Sequence, residues 1–90
     1  MKLYLIHAGY YDPEIMDGLY EQHTNFFVVG KNVKDAKKKV RQNSTYENKK
    51  MHIDGIQELN AVDGYRIQLV QDDSAGDKVI YSYDEVKKIL

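Results

Sequence analysis

Ninety residues and 10.5 kDa suffice for one domain, residues 1–90, and exclude a second core. The lack of cysteine excludes disulfides, thiolate zinc sites and cysteine nucleophiles. Thirteen Lys+Arg against fourteen Asp+Glu, net −1, argue against nucleic-acid binding driven by bulk charge. The apolar run Leu3–Ile6 is far too short for a signal or membrane segment, so a soluble, cytoplasmic chain is expected. Size scaling predicts a folded surface of roughly 5,400 Å², about a third of the open chain's.

The first strand is expected near Lys2–Ala8, with Leu3 and Leu5 on one face and Tyr4 and Ile6 on the other. Apolar residues on both faces predict a central strand covered twice. A long connection, Gly9 to Gln22, follows. Asp12-Pro13 predicts a turn there, and Glu14–Tyr20 a short helical turn. The second strand, Asn25–Val29, is again apolar on both faces and ends at Gly30.

Asn32 reads as the N-cap of a helix reaching about Gln42, with Asp35 near the positive end of its dipole. Val33, Ala36 and Val40 form its narrow apolar stripe. A third strand is expected within Met51–Ala61, with a bend or bulge at Gly55. Asp63-Gly64 predicts a tight hairpin turn, followed by a strand over Tyr65–Val70 and another over Lys78–Tyr81. Ser82-Tyr83-Asp84-Glu85 has the pattern of a capping box opening a last helix, with Val86, Ile89 and Leu90 facing inward.

The expected fold is therefore α+β, a mainly antiparallel sheet in the order β-β-α-β-β-β-α with helices packed on it. Two short helices can cover one sheet face only. The second face must then be roofed by the Tyr-rich connection or by a second copy of the chain.

Glu21-x-His23, Phe26-Phe27-Val28-Val29, His52-Ile53-Asp54 and Val62-Asp63-Gly64-Tyr65 carry a resemblance. Over roughly residues 1–70 the sequence resembles a bacterial family of uncharacterised domains, domain of unknown function 1543. Two features depart from the family pattern: Thr24 stands where relatives often have Asp, and Ser44-Thr45-Tyr46 where many have a Trp-containing turn. Several relatives carry two copies of the domain, which implies a dimer for a single-copy chain. The resemblance implies no reaction.

Two short motifs carry the sharpest chemistry. Glu21 with His23, and His52 with Asp54, are spaced i, i+2, so each pair projects from one face of a strand. On neighbouring strands the four side chains would form a ligand set suited to Zn²⁺, Mn²⁺ or Fe²⁺. The favoured reading is that each imidazole pairs with a carboxylate or carbonyl and pins the sheet edge. His7, ending the first strand, reads as structural.

Charge is segregated. Residues 31–50 hold eight basic side chains against Asp35 and Glu47, a net +6, which leaves −7 for the rest of the chain. Lys34, Lys37, Lys38 and Arg41 are candidate anion-binding residues. With a single Arg and a single aromatic in this window, a solvated helix face is favoured over a nucleic-acid surface. Tyr10, Tyr11 and Tyr20 suit either a recognition surface or the lid of the second sheet face. The favoured reading is a homodimeric module that binds a protein or small ligand and carries no cofactor. The alternatives are a metal-dependent enzyme using the Glu/His/His/Asp set, or a nucleic-acid binder using the basic helix.

Overall fold

Nine residues of β1 (Lys2–Tyr10) form the middle of a three-stranded sheet in the computed structural model, which describes residues 1–90. β2 (Gln22–Gly30) and β3 (His52–Glu58) flank it, both antiparallel to it. The central position predicted from apolar residues on both faces of β1 is the one found. Asp12 makes the expected turn between β1 and β2, accepting the Glu14 N–H at 2.9 Å on its side chain and the Ile15 N–H at 3.0 Å on its carbonyl.

Helix α1 (Val33–Arg41) starts as its sequence predicts. Asn32 Oδ1 accepts the Asp35 N–H at 2.8 Å, and Asp35 Oδ2 reaches back to the Lys31 N–H at 2.9 Å. The helix lays Ala36 and Val40 on Tyr4 and Ile6, all at most 1% exposed, with Phe26, Val28, Tyr46, Ile53 and Ile56 packed around them. A second short helix, α2 (Ser44–Asn48), occupies a stretch without apolar periodicity. Asn43 caps it, accepting the N–H groups of Thr45 and Tyr46.

Gly55 does lie at a bulge. The β1–β3 register pairs His7 with Gly55 but Ala8 with Ile53, leaving Asp54 as the extra residue. Asp63 (φ 52°) and Gly64 (φ 80°) are both left-handed, so the expected hairpin turn joins β4 (Ala61–Val62) to β5 (Tyr65–Arg66).

The element order agrees with the sequence reading, but the last third of the chain differs in detail. The expected strand over Tyr65–Val70 is limited to Tyr65–Arg66, and Lys78–Tyr81 is not a strand. Ladder bonds need a partner, and β4 offers only two residues. The pair β4–β5 forms its own small sheet instead of extending the main one.

Helix α3 (Tyr83–Lys88) is capped by Ser82 as its capping box predicts. However, Val86, Ile89 and Leu90 face solvent, not a core. Six residues present too little apolar surface to hold a helix against the sheet by themselves. The exposed end of the chain brings the accessible surface to 7,831 Å², well above the scaling value for this mass. No helix is long and apolar enough to cross a membrane.

Candidate metal centre

Strand alternation divides β1 cleanly. Tyr4, Ile6 and Ala8 are buried on the face that carries α1, while Leu3, Leu5, His7 and Gly9 line the opposite face. Antiparallel register puts Val29, Phe27, Asn25 and His23 of β2 beside those four residues in turn. From β3, Gln57 lies opposite Leu5, Gly55 opposite His7 and His52 opposite Gly9. One end of this face is therefore apolar and the other is rich in histidine. Two of the tyrosines expected to roof it have other neighbours: Tyr10 lies under the Lys49 ammonium, and Tyr11 borders a hollow with Asp12, Pro13, Asn48, Lys49 and Lys50.

At the histidine-rich end, the four residues singled out from the sequence converge. His52 Nε2 is 2.8 Å from Glu21 Oε1 and 3.1 Å from Asp54 Oδ1. His23 Nε2 is 3.2 Å from Asp54 Oδ2 and 3.4 Å from Glu21 Oε1. Each element has a distinct part in this. Gln22 begins β2, so Glu21 sits at its mouth; alternation puts Asp54 on the same face as His52, and the bulge leaves it without a partner residue on β1. Gly9 is the floor. A Cβ there would stand 2.6 Å from His52 Nε2 and 2.7 Å from Asp54 Oδ2, inside the space the four side chains share.

Donor atoms bound to one ion at 2.0–2.2 Å lie about 3 Å apart, which is the spacing seen here. An imidazole Nε2 carries at most one hydrogen, yet each faces two carboxylate oxygens. A cation relieves this shortage of hydrogens, and the donors that lie within 4.8 Å of one another are Glu21, His52 and Asp54 in one set and His7, His23 and Asp54 in another. The ligand side chains stay 32–49% exposed, which leaves one side of the cluster open to water or a small ligand.

Two contributors were not singled out as functional by sequence reasoning. His7 stacks on His23 with ring centroids 4.9 Å apart and planes 8° from parallel, and its Nδ1 lies 2.9 Å from Asn25 Oδ1. Gly9 supplies the missing side chain. The signal for both was present: His7 and Gly9 share one face of β1 by alternation, but only the register puts that face beside His23 and His52.

Residues 18–69 match the family model described as Domain of Unknown Function (DUF1543), more than half of the chain. The chain belongs to the DUF1543 family. The matched segment contains Glu21, His23, His52 and Asp54, while His7 and Gly9 of this DUF1543 chain precede it. Among curated proteins and solved structures, none matches.

The other candidates do not converge in this way. Tyr11 and Tyr20 are 56% and 61% exposed, and Tyr10 lies under the Lys49 ammonium. Lys34, Lys38 and Arg41 line one shallow groove with Lys31, Asn32 and Asp35, and Lys37 lies outside it. In that groove the Lys31 N–H, and then the Lys39 ammonium, hold the Asp35 carboxyl below its usual range. The Glu14 N–H and the Lys49 ammonium do the same for Asp12, and Asp12 raises Lys49 in return. Both basic regions thus have carboxylates among their cations.

Proposed function

We propose that this DUF1543 domain binds a divalent first-row transition metal, Zn²⁺, Mn²⁺ or Fe²⁺, through Glu21, His23, His52 and Asp54. The observation that supports this is the four-way approach of two imidazole nitrogens and two carboxylates over a residue without a side chain, Gly9. Two nitrogen and two oxygen donors suit these ions. With one side open, the bound ion has positions left to take water or to polarise an oxygen-bearing ligand. The metal-dependent alternative thereby gains over a purely structural role for the four residues.

The test is a thermal melt of the full chain after chelation, with each ion then added back. Binding at a hundredfold excess over Kd adds about 2.7 kcal/mol. For a domain of this size that raises the melting temperature by roughly 10 °C or more. An unchanged melting temperature with all three ions overturns the reading.

A second reading concerns the other end of the same face. Phe27 is 70% exposed beside Leu5, while Val29 next to it borders a hollow with Met1, Leu69, Val70 and Gln71. This supports the expectation of a homodimer in which a second copy buries the apolar end. Such packing would also wall the metal cluster on one side. Light scattering gives the outcome: twice the chain mass supports the dimer, and the single-chain mass at micromolar concentration rejects it.

A further inference from the structure

We propose that the cluster is built for two metal ions, bridged by the Asp54 carboxylate, with His7 as a ligand of the second. This extends the metal-binding reading above and rests on it. The two oxygens of Asp54 are divided between two imidazoles: Oδ1 faces His52 Nε2 at 3.1 Å and Oδ2 faces His23 Nε2 at 3.2 Å. The ligand atoms accordingly fall into two sets sharing that carboxylate, Glu21–His52–Asp54 and His7–His23–Asp54. Within each set every atom lies within 4.8 Å of the others. A single ion uses one oxygen of such a carboxylate or both together. Two ions about 3.5–4 Å apart use one oxygen each.

The stance of His7 fits the second ion. With Asn25 Oδ1 accepting from Nδ1–H, the lone pair rests on Nε2, the arrangement by which an outer hydrogen bond sets the tautomer of a metal-bound histidine. Two stacked imidazoles in one set also keep that set neutral apart from Asp54. Two divalent ions against the charges of Glu21 and Asp54 leave a net +2. That surplus selects an anionic bridging ligand, either hydroxide from solvent or the oxyanion of a phosphate or carboxylate compound.

The deciding experiment counts Mn²⁺ bound to the metal-stripped full chain by equilibrium dialysis, with electron paramagnetic resonance on the same samples. Two ions per chain with an exchange-coupled spectrum are expected. In His7→Ala and His7→Gln, the count should fall to one, with the six-line spectrum of an isolated ion. One ion per wild-type chain overturns the two-ion inference and leaves the single-site reading standing. No bound Mn²⁺ overturns the two-ion inference, and the melts with Zn²⁺ and Fe²⁺ then decide the metal-binding reading. Retention of two ions in the His7 variants removes His7 as a ligand and overturns the assignment. Circular dichroism of the apo variants checks their folding, and if neither folds, the wild-type count and spectrum decide.

Discussion

His52 Nε2 lies 2.8 Å from Glu21 Oε1, although 31 residues separate them along the chain. The approach spans the sheet: His52 is at the start of β3, Glu21 just before β2, and β1 runs between them with only Gly9 at the crossing. A contact over the middle strand requires that strand to offer no side chain there.

Removing either partner should therefore abolish metal-induced stabilisation. Glu21→Gln and His52→Ala are expected to lose most of the rise in melting temperature, with metal affinity down at least tenfold. Their apo forms should melt within about 1 kcal/mol of the wild type, since both sites are exposed and outside the core. Calorimetric titration with Zn²⁺ and parallel apo melts measure the two quantities separately.

Gly9→Ala tests the floor of the site. The added methyl would displace the tips of Glu21, His52 and Asp54, all partly exposed ends of side chains, so the fold survives while the ligand geometry does not. Metal affinity should drop 10–100-fold, comparable to the loss of an outer-shell partner. A variant that binds Zn²⁺ as tightly as the wild type would contradict the shared-space geometry.

Phe27→Lys addresses the apolar end. If a second copy covers Leu5 and Phe27, two buried lysines per interface, one from each chain, should dissociate the dimer, shifting the mass measured by light scattering to that of one chain. The melting temperature extrapolated to high dilution should hardly change, because the ring is already exposed in the single chain.

Acid stability follows from Asp35. Its folded pKa is depressed, chiefly by the Lys31 N–H, so its contribution is fully present above the unfolded carboxyl value and is lost as pH falls through the folded one. Melting temperature should hold down to about pH 5 and decline below about pH 4. Asp35→Asn should lower it at neutral pH and make the acid decline shallower. Melts from pH 2 to 7 compare the two slopes.

A chain ending at Gln71 should keep the sheet, α1 and the metal cluster. Beyond that residue no side chain enters the core, and α3 has all its apolar residues in solvent. Circular dichroism and Zn²⁺ titration of the shortened chain are expected to match the full chain, with melting temperatures within about 4 °C. Loss of cooperative melting would show that the end of the chain supports the core after all.

What local pattern determines, the sequence made legible. The Asn32 cap, the left-handed Asp63-Gly64 turn and the Ser82 cap depend on neighbours within a few residues, and apolar residues on both faces of β1 marked it as central. The i, i+2 pairs likewise put Glu21 with His23 and His52 with Asp54, because strand geometry repeats every two residues. Whether those pairs meet was decided only by strand order, β2-β1-β3, and by a register that sets Gly9 between them. Long-range pairing is chosen by burial over the whole sheet, to which no single motif bears witness. The same reason explains Lys78–Tyr81, whose residues favour a strand but find no partner edge. It also explains His7, whose partners across the sheet place it beside His23.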